Sequence, residues 1–228
     1  MPEWTFDEGI GMTLNKQKGN MYDWVTHTYN PIKGKCPHDC VYCYMKRFPQ
    51  KPARLVESEL NDDLGEGNMI FVGSSIDMWA KEIHDDWIIK VLAHCNIYPE
   101  NTYLFQSKNP DRFWEFSGAF PPLTILGITL ETNREDFLHK AMPRKLRAES
   151  MAKTTLVHKM ITIEPIMDFD LELFVKMIKS INPAWINIGA DSKNHNLPEP
   201  SRAKVDSLII ELKKFTEVKK KSNLERLK

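Results

Sequence analysis

The chain has 228 residues, 42% of them hydrophobic, and its 31 basic and 31 acidic side chains leave a formal net charge of zero. That suits one globular domain with a sizeable core and excludes a global electrostatic pull toward nucleic acid or membrane, although local patches remain open. Of four cysteines, three fall between Cys36 and Cys43, which is not the spacing of a secreted disulfide framework and points to reduced thiols in a cytoplasmic setting.

The opening stretch MPEWTFDEGIGMTLN lacks the basic start and apolar run of a signal peptide, and residues 1–21 read as an N-terminal extension. YDWVTHTYN (22–30) reads as a first strand, followed directly by the cysteine segment KCPHDCVYCYM (35–45). MIFVGSS (69–75) is a buried strand ending in turn residues, and DDWIIKVLAHC (85–95) places Trp87, Ile88, Val91 and Cys95 on one helical face. TYLFQSK (102–108) is the next strand, and NPDRFWEF opens a helix on Asn-Pro. LTILGITLE (123–131) and HKMITIEPI (158–166) are near-continuous apolar strands, followed by the helical patterns PRKLRAESMA and LELFVKMIKSI. AWINIGA (184–190) is the last clear strand, and residues 201–228 read as a C-terminal amphipathic helix with Val205, Leu208, Ile209, Leu212 and Phe215 at helical spacing. Its lysine run at 213–221 fits either a solvated helix face or a nucleic-acid contact. No stretch approaches membrane-spanning length, so no membrane partner is expected.

Strand–helix alternation with apolar strands implies βαβ units and a parallel sheet. Six strands are too few for a closed eight-fold barrel, so the expectation is a single α/β domain built as a partial (βα)6 TIM-like barrel. Polar residues gather where these strands stop: Gly73, Ser74, Ser75 and Asp77; Gln106, Ser107 and Lys108; Thr129 and Glu131; Glu164; Gly189 and Asp191. Ligands of parallel α/β folds sit over the carboxyl ends of the strands, and the cysteine loop opens onto that same rim.

Three thiolates at one loop are soft ligands, for which zinc and an iron–sulfur cluster are the realistic candidates. Structural zinc takes four closed ligands, usually from two paired motifs. Only one such loop exists here, so zinc would need His27, His38 or a distant side chain; that alternative is a zinc-stabilised nucleic-acid-binding module. A cluster-bearing electron-transfer or accessory protein is the other alternative, and the furnished strand ends argue against it.

The CxxxCxxC run Cys36-Pro-His-Asp-Cys40-Val-Tyr42-Cys43, with an aromatic residue before its third cysteine, resembles the signature loop of the radical S-adenosylmethionine superfamily. YDWVTHTYNPIKGKC, FVGSSIDMW, LFQSKNPDRFWEF, ILGITLETN, ITIEPIMD, INIGADS and VKKKSNLERL follow the order of its small phage- and prophage-associated three-cysteine-motif branch, from about residue 22 to the end. The chain departs from that pattern in an extra Lys35 before the first cysteine and in QSK where a Leu-Thr-Lys run is usual. The superfamily's Gly-Gly-Glu run stands here as Gly73-Ser74-Ser75, which leaves open which residue receives the cofactor's amino group.

The resemblance implies a [4Fe–4S] cluster held by Cys36, Cys40 and Cys43. Its open iron would bind S-adenosylmethionine, whose reductive cleavage yields a 5′-deoxyadenosyl radical for hydrogen abstraction. It further implies an external flavodoxin- or ferredoxin-like electron donor, a genomically linked partner protein, and an unidentified substrate for which a phage setting suggests a nucleoside or nucleic acid. Tyr42, Gly73, Ser74, Ser75, Asp77, Thr129, Glu131, Gly189 and Asp191 are then expected to line the cofactor pocket, with Glu131 on the ribose. The dull readings are a plain turn for Gly73 and Ser74 and a helix-start acid for Glu131. Lys108 and Glu164 are the expected catalytic pair, because a charge at the end of an apolar strand is costly when idle. Cys95 reads as a small core residue rather than as a hydrogen-atom donor.

Overall fold

In the computed structural model of the chain, which describes residues 14–16, 21–135, 138–155 and 158–228, ten short strands and five α-helices alternate. The strands are β1 (Asn15–Lys16), β2 (His27–Tyr29), β3 (Ile32–Lys33), β4 (Arg54–Leu55), β5 (Met69–Val72), β6 (Thr102–Ser107), β7 (Thr124–Thr129), β8 (His158–Ile163), β9 (Trp185–Ile188) and β10 (Glu217–Lys220). The helices are α1 (Asp85–Ile97), α2 (Asp111–Glu115), α3 (Arg144–Lys153), α4 (Leu171–Ile181) and α5 (Arg202–Leu212). The N-terminal extension expected over 1–21 lies outside the described residues except for 14–16 and 21.

The main sheet runs β1-β2-β5-β6-β7-β8-β9-β10, and every pairing in it is parallel except the short antiparallel one between β1 and β2. The sheet does not close, since β1 and β10 remain its edges. The six expected strands are therefore present in sequence order as an open partial barrel. β3 and β4 form a separate antiparallel ribbon beside the cysteine loop.

Side chains alternate across the strands, and the two faces are built differently. Ile70, Val72, Tyr103, Phe105, Leu126, Ile128, Ile161, Ile163, Ile186 and Ile188 point to the helix side and join the large core. Helix residues at heptad-like spacing meet them: Ile88, Val91, Leu92 and Cys95 from α1, and Phe174, Ile178 and Ile181 from α4. Each such fully buried side chain contributes about 1.5–3 kcal/mol, so this layer carries most of the stability. On the inner face Phe71, Leu104, Ile125 and Met160 form a smaller cluster with Tyr22 and Val25. Farther along the same strands the inner positions turn polar: Gln106 and Lys108, Thr129, Thr162 and Glu164. That parity is why strands apolar on both faces still present a polar cavity at one end.

Two expectations need correction. Of 22–30 only His27–Tyr29 is strand; the preceding turn carries Tyr22 and Trp24, whose rings stack 5.3 Å apart, and Trp24 meets Trp185 edge-on. This aromatic plug fills the amino-terminal end of the inner face, where a strand would leave a hole. The C-terminal helix ends at Leu212 instead of running through 228, and Glu217–Lys220 becomes β10, with a 3-10 turn at Ser222–Arg226. Without it β9 would be an unpaired edge; parallel pairing from Glu217↔Trp185 to Lys220↔Ile188 satisfies those backbone groups and overrides the helical periodicity. The lysine run is thus split: Lys219 lies over the Trp24 and Trp185 rings, and Lys221 reaches the inner cavity. No helix among the described residues is long and apolar enough to cross a membrane.

Candidate functional site

A cavity of about 590 Å³ occupies the carboxyl end of the inner face, well inside the range of roughly 300–1,000 Å³ usual for small-molecule sites. Cys36, Cys40, Tyr42, Cys43, Gly73, Ser74, Ser75, Asp77, Lys108, Thr129, Glu164 and Asp191 all line it. Glu131 and Gly189, the other expected site residues, do not.

The cysteine loop follows β3 and ends in a 3-10 helix at Tyr44–Arg47. Its tightness comes from backbone bonds Asp39 N–H to Cys36 O (3.2 Å) and Cys43 N–H to Cys40 O (3.1 Å), with Asp39 in the left-handed region at φ 47°. The four cysteines are free thiols. A second, smaller cavity touches the loop from its other side, lined by Lys35, Lys46 and the same three cysteines. Burial, reinforced by Asp77, pushes the Cys36 thiol up to about 12, and burial raises Cys40 against the opposing pull of Lys108. Thiols in such a place become thiolates only beside added positive charge, which is what iron or another metal supplies. Among the described residues no three of His, Cys, Asp and Glu are gathered as ligands of one metal ion. Three reduced thiols on one loop fit a polynuclear cluster in which each thiolate would take its own iron.

Asp77 anchors the loop from behind. Its carboxylate accepts His38 Nε2 at 2.8 Å, the Ser107 hydroxyl at 3.0 Å, and the backbone N–H groups of Lys108 and Trp79 at 2.7 and 3.0 Å. Burial alone would raise its pKa, but His38 and these donors hold it below the usual carboxylate range. His38, between the first two cysteines, therefore tethers the loop through Asp77 to the end of β6.

Glu131, expected on the cofactor's ribose, is a second anchor of the loop. It is fully buried, accepts Arg144 Nε at 2.7 Å and Arg147 Nη1 at 3.2 Å on one oxygen, and receives the Tyr42 hydroxyl on the other. Lys108 Nζ stands 3.8 Å from that second oxygen and 5.6 Å above the Tyr42 ring. Burial works against ionisation, yet Arg147, Lys108 and Arg144 together hold the carboxyl well below its ordinary range. Arg144 and Arg147, both fully buried on α3, lie in a segment that the sequence marks only as a helical pattern. Their spacing of three residues, after a strand that ends in an acid, is the one signal that could have found them.

Lys108 and Glu164 are not partners. They end β6 and β8, which β7 separates; at about 4.8 Å per strand their backbones lie roughly 10 Å apart, so Lys108 turns to Glu131 on the adjacent strand. Glu164 instead pairs with Lys221 at 2.9 Å and accepts Asn223 Nδ2 at 3.3 Å, both from the segment after β10. Gly189 makes room for it: a Cβ there would stand 2.9 Å from Glu164 Cδ. Gly73, at φ 79°, turns the chain so that Ser74 and Ser75 both bond Asn30 Oδ1.

The floor is a hydrogen-bonded set that adds Tyr22 and Thr162 to the expected Gln106 and Thr129. Tyr22 donates to Gln106 Oε1 at 2.8 Å and meets Thr162, while Gln106 Nε2 reaches Thr129 Oγ1 at 3.1 Å. At the far wall Asp191 accepts His195 Nδ1 at 2.6 Å, and His195 lines the cavity. The Asp-x-x-x-His spacing in DSKNH is visible in the sequence but has no signal of its own. Cys95 is fully buried on the helix-side core, away from the cavity.

No protein-family model matches the chain, and no curated protein matches it. Solved structures do. A spore photoproduct lyase variant with bound AdoMet and dinucleoside spore photoproduct aligns with a TM-score of 0.66 at 10% identity, over 89% of this chain and 78% of that one. A second variant, with dinucleoside spore photoproduct, gives 0.67 at 10% identity over 92% and 81%, and the lyase complexed with dinucleoside spore photoproduct gives 0.64 at 9% over 90% and 79%. At such identity it is the architecture that is shared: the chain has the open, mostly parallel α/β fold of spore photoproduct lyase.

Proposed function

We propose that the chain is a radical S-adenosylmethionine enzyme acting on a nucleoside or nucleic acid. The observation that carries this reading is the convergence of three free thiols on one loop with the polar carboxyl ends of five parallel strands at a single cavity. Cys36, Cys40 and Cys43 would each hold one iron of a [4Fe–4S] cluster. Such a cluster, when bound and reduced, supplies the electron that cleaves S-adenosylmethionine to methionine and a hydrogen-abstracting 5′-deoxyadenosyl radical.

The chain's own residues bind, orient and shield. The Asp77–His38 and Glu131–Tyr42 bonds fix the cysteine loop at two points, one on each side of Cys40. Gly73, Ser74 and Ser75 offer backbone and hydroxyl groups at the cavity edge, and Lys108 places a cation where an amino-acid carboxylate would be neutralised. Glu164–Lys221 and Asp191–His195 furnish the opposite wall for the substrate. The nucleoside assignment draws support from the dinucleoside held by proteins of this fold. An external flavodoxin- or ferredoxin-like donor, a cytoplasmic setting and a phage-linked partner belong to the same proposal.

Anaerobic reconstitution tests it. The expected result is ~4 irons and ~4 sulfides per chain, with reductant-dependent formation of 5′-deoxyadenosine from S-adenosylmethionine. Zinc without sulfide, or a cluster that never yields 5′-deoxyadenosine, would overturn the reading.

A further inference from the structure

The chain is neutral overall, yet residues 33–54 around the cysteines hold six basic side chains against the single acidic Asp39. Lys33 is taken up by Glu59 and Lys46 by Asp39. Lys35, Arg47, Lys51 and Arg54 are exposed and form no ion pair among the described residues. The β3–β4 ribbon brings the two ends of this segment together, with Lys33 opposite Arg54 and Lys35 N–H bonded to Lys51 O at 2.8 Å. The cations are thus one patch in space and not merely a run in sequence.

Aromatic rings stand in the same patch. Tyr44 and Phe48 are 44% and 46% exposed, which is unusual for large apolar side chains so close to one another. The Arg47 guanidinium lies 4.7 Å above the Phe48 ring. Tyr44 and Arg47 also line the main cavity, so the patch is continuous with its mouth. Exposed rings interleaved with unpaired cations are what a single nucleic-acid strand uses: bases stack on the rings while phosphates meet the cations.

We infer that this rim binds single-stranded nucleic acid and feeds one nucleotide into the cavity, so that the substrate is a residue within a strand and not a free nucleoside. The inference rests on the proposed reading of the cavity for its consequence, but the binding itself does not. An acidic redox protein could answer the same charges. The strand is favoured because Tyr44 and Arg47 belong to both the patch and the cavity wall, a continuity that an electron donor does not require.

The test is fluorescence anisotropy of a labelled 12-nucleotide single strand with reconstituted protein. About four phosphate contacts should give a slope of log K on log salt near roughly −3. Arg47→Glu with Lys51→Glu should weaken binding at least tenfold and flatten that slope, and Tyr44→Ala with Phe48→Ala should weaken it at least fivefold with the slope unchanged. All four side chains are exposed, and unchanged circular dichroism and iron content would show that the fold is intact. Oligonucleotide binding that survives both double variants would overturn the inference. So would absence of oligonucleotide binding, whether or not an acidic flavodoxin binds in a way that the charge reversals abolish. If 5′-deoxyadenosine forms but no strand binds, the rim assignment fails and the radical reading stands; strand binding without 5′-deoxyadenosine gives the converse.

Discussion

Replacing Glu131 by Gln keeps the side chain's shape and removes a fully buried negative charge that Arg144, Arg147 and Lys108 share. The carboxylate and both guanidiniums have no solvent exposure, so water cannot screen the cations once their counter-charge is gone. Breaking a buried pair in this way costs about 3–5 kcal/mol. In a domain of 150–250 residues that corresponds to a fall in Tm of roughly 6–20 °C, at about 2–4 °C per kcal/mol. Differential scanning fluorimetry on the reconstituted protein measures it. The acid limb carries a second signature: the folded carboxyl titrates below its ordinary value of 4.5, so its contribution is complete above that pH and is lost as pH falls toward the folded value. The Gln variant should therefore lose stability at neutral pH and show a flatter decline below pH 4.5. A Tm within about 2 °C of wild type, together with weakened S-adenosylmethionine binding, would refute the anchor role and restore Glu131 to the ribose.

Changing any one of Cys36, Cys40 or Cys43 to Ala should abolish cluster incorporation, read as iron and sulfide content, whereas Cys95→Ala should retain full iron and cost about 1 kcal/mol in urea unfolding. Glu164→Gln should keep fold and cluster but lower S-adenosylmethionine cleavage or turnover at least tenfold, equivalent to about 1.4 kcal/mol; a wild-type rate would make the Lys221 pair purely structural. Gly189→Ala places a Cβ 2.9 Å from Glu164 Cδ, and because a flexible carboxylate can move aside, it should destabilise by under about 2 kcal/mol while reducing turnover as Glu164→Gln does. Burial, then the nearby Arg147, lower His139 from 6.5 to about 4. Its neutral form is the folded one, so stability should be full above pH 6.5 and decline as pH falls toward 4; His139→Gln should flatten that interval in pH-dependent unfolding, and an unchanged profile would count against the assignment.

The order of strands and helices was legible because each strand is a short apolar run and each helix has a one-sided stripe, signals that local periodicity carries. The cysteine loop was legible for a similar reason: three thiols gathered on one turn are close in sequence. Strand parity extended this to the rim, placing Lys108, Thr129 and Glu164 on the inner face beside the thiols. The pairing of charges was not legible, since partners on a rim are set by which strands are neighbours and which backbone comes close. Lys108 met Glu131 across one strand and not Glu164 across two, and Glu164 found Lys221 from a segment 57 residues away in sequence. The helical pattern of residues 143–152 does not mark Arg144 and Arg147 as buried; the sheet places Glu131 against them, and a buried cation is tolerable only where a counter-charge has been positioned. β10 likewise exists only because β9 has an open edge to satisfy, so its residues carried a helical pattern up to the point where tertiary hydrogen bonding outweighed it.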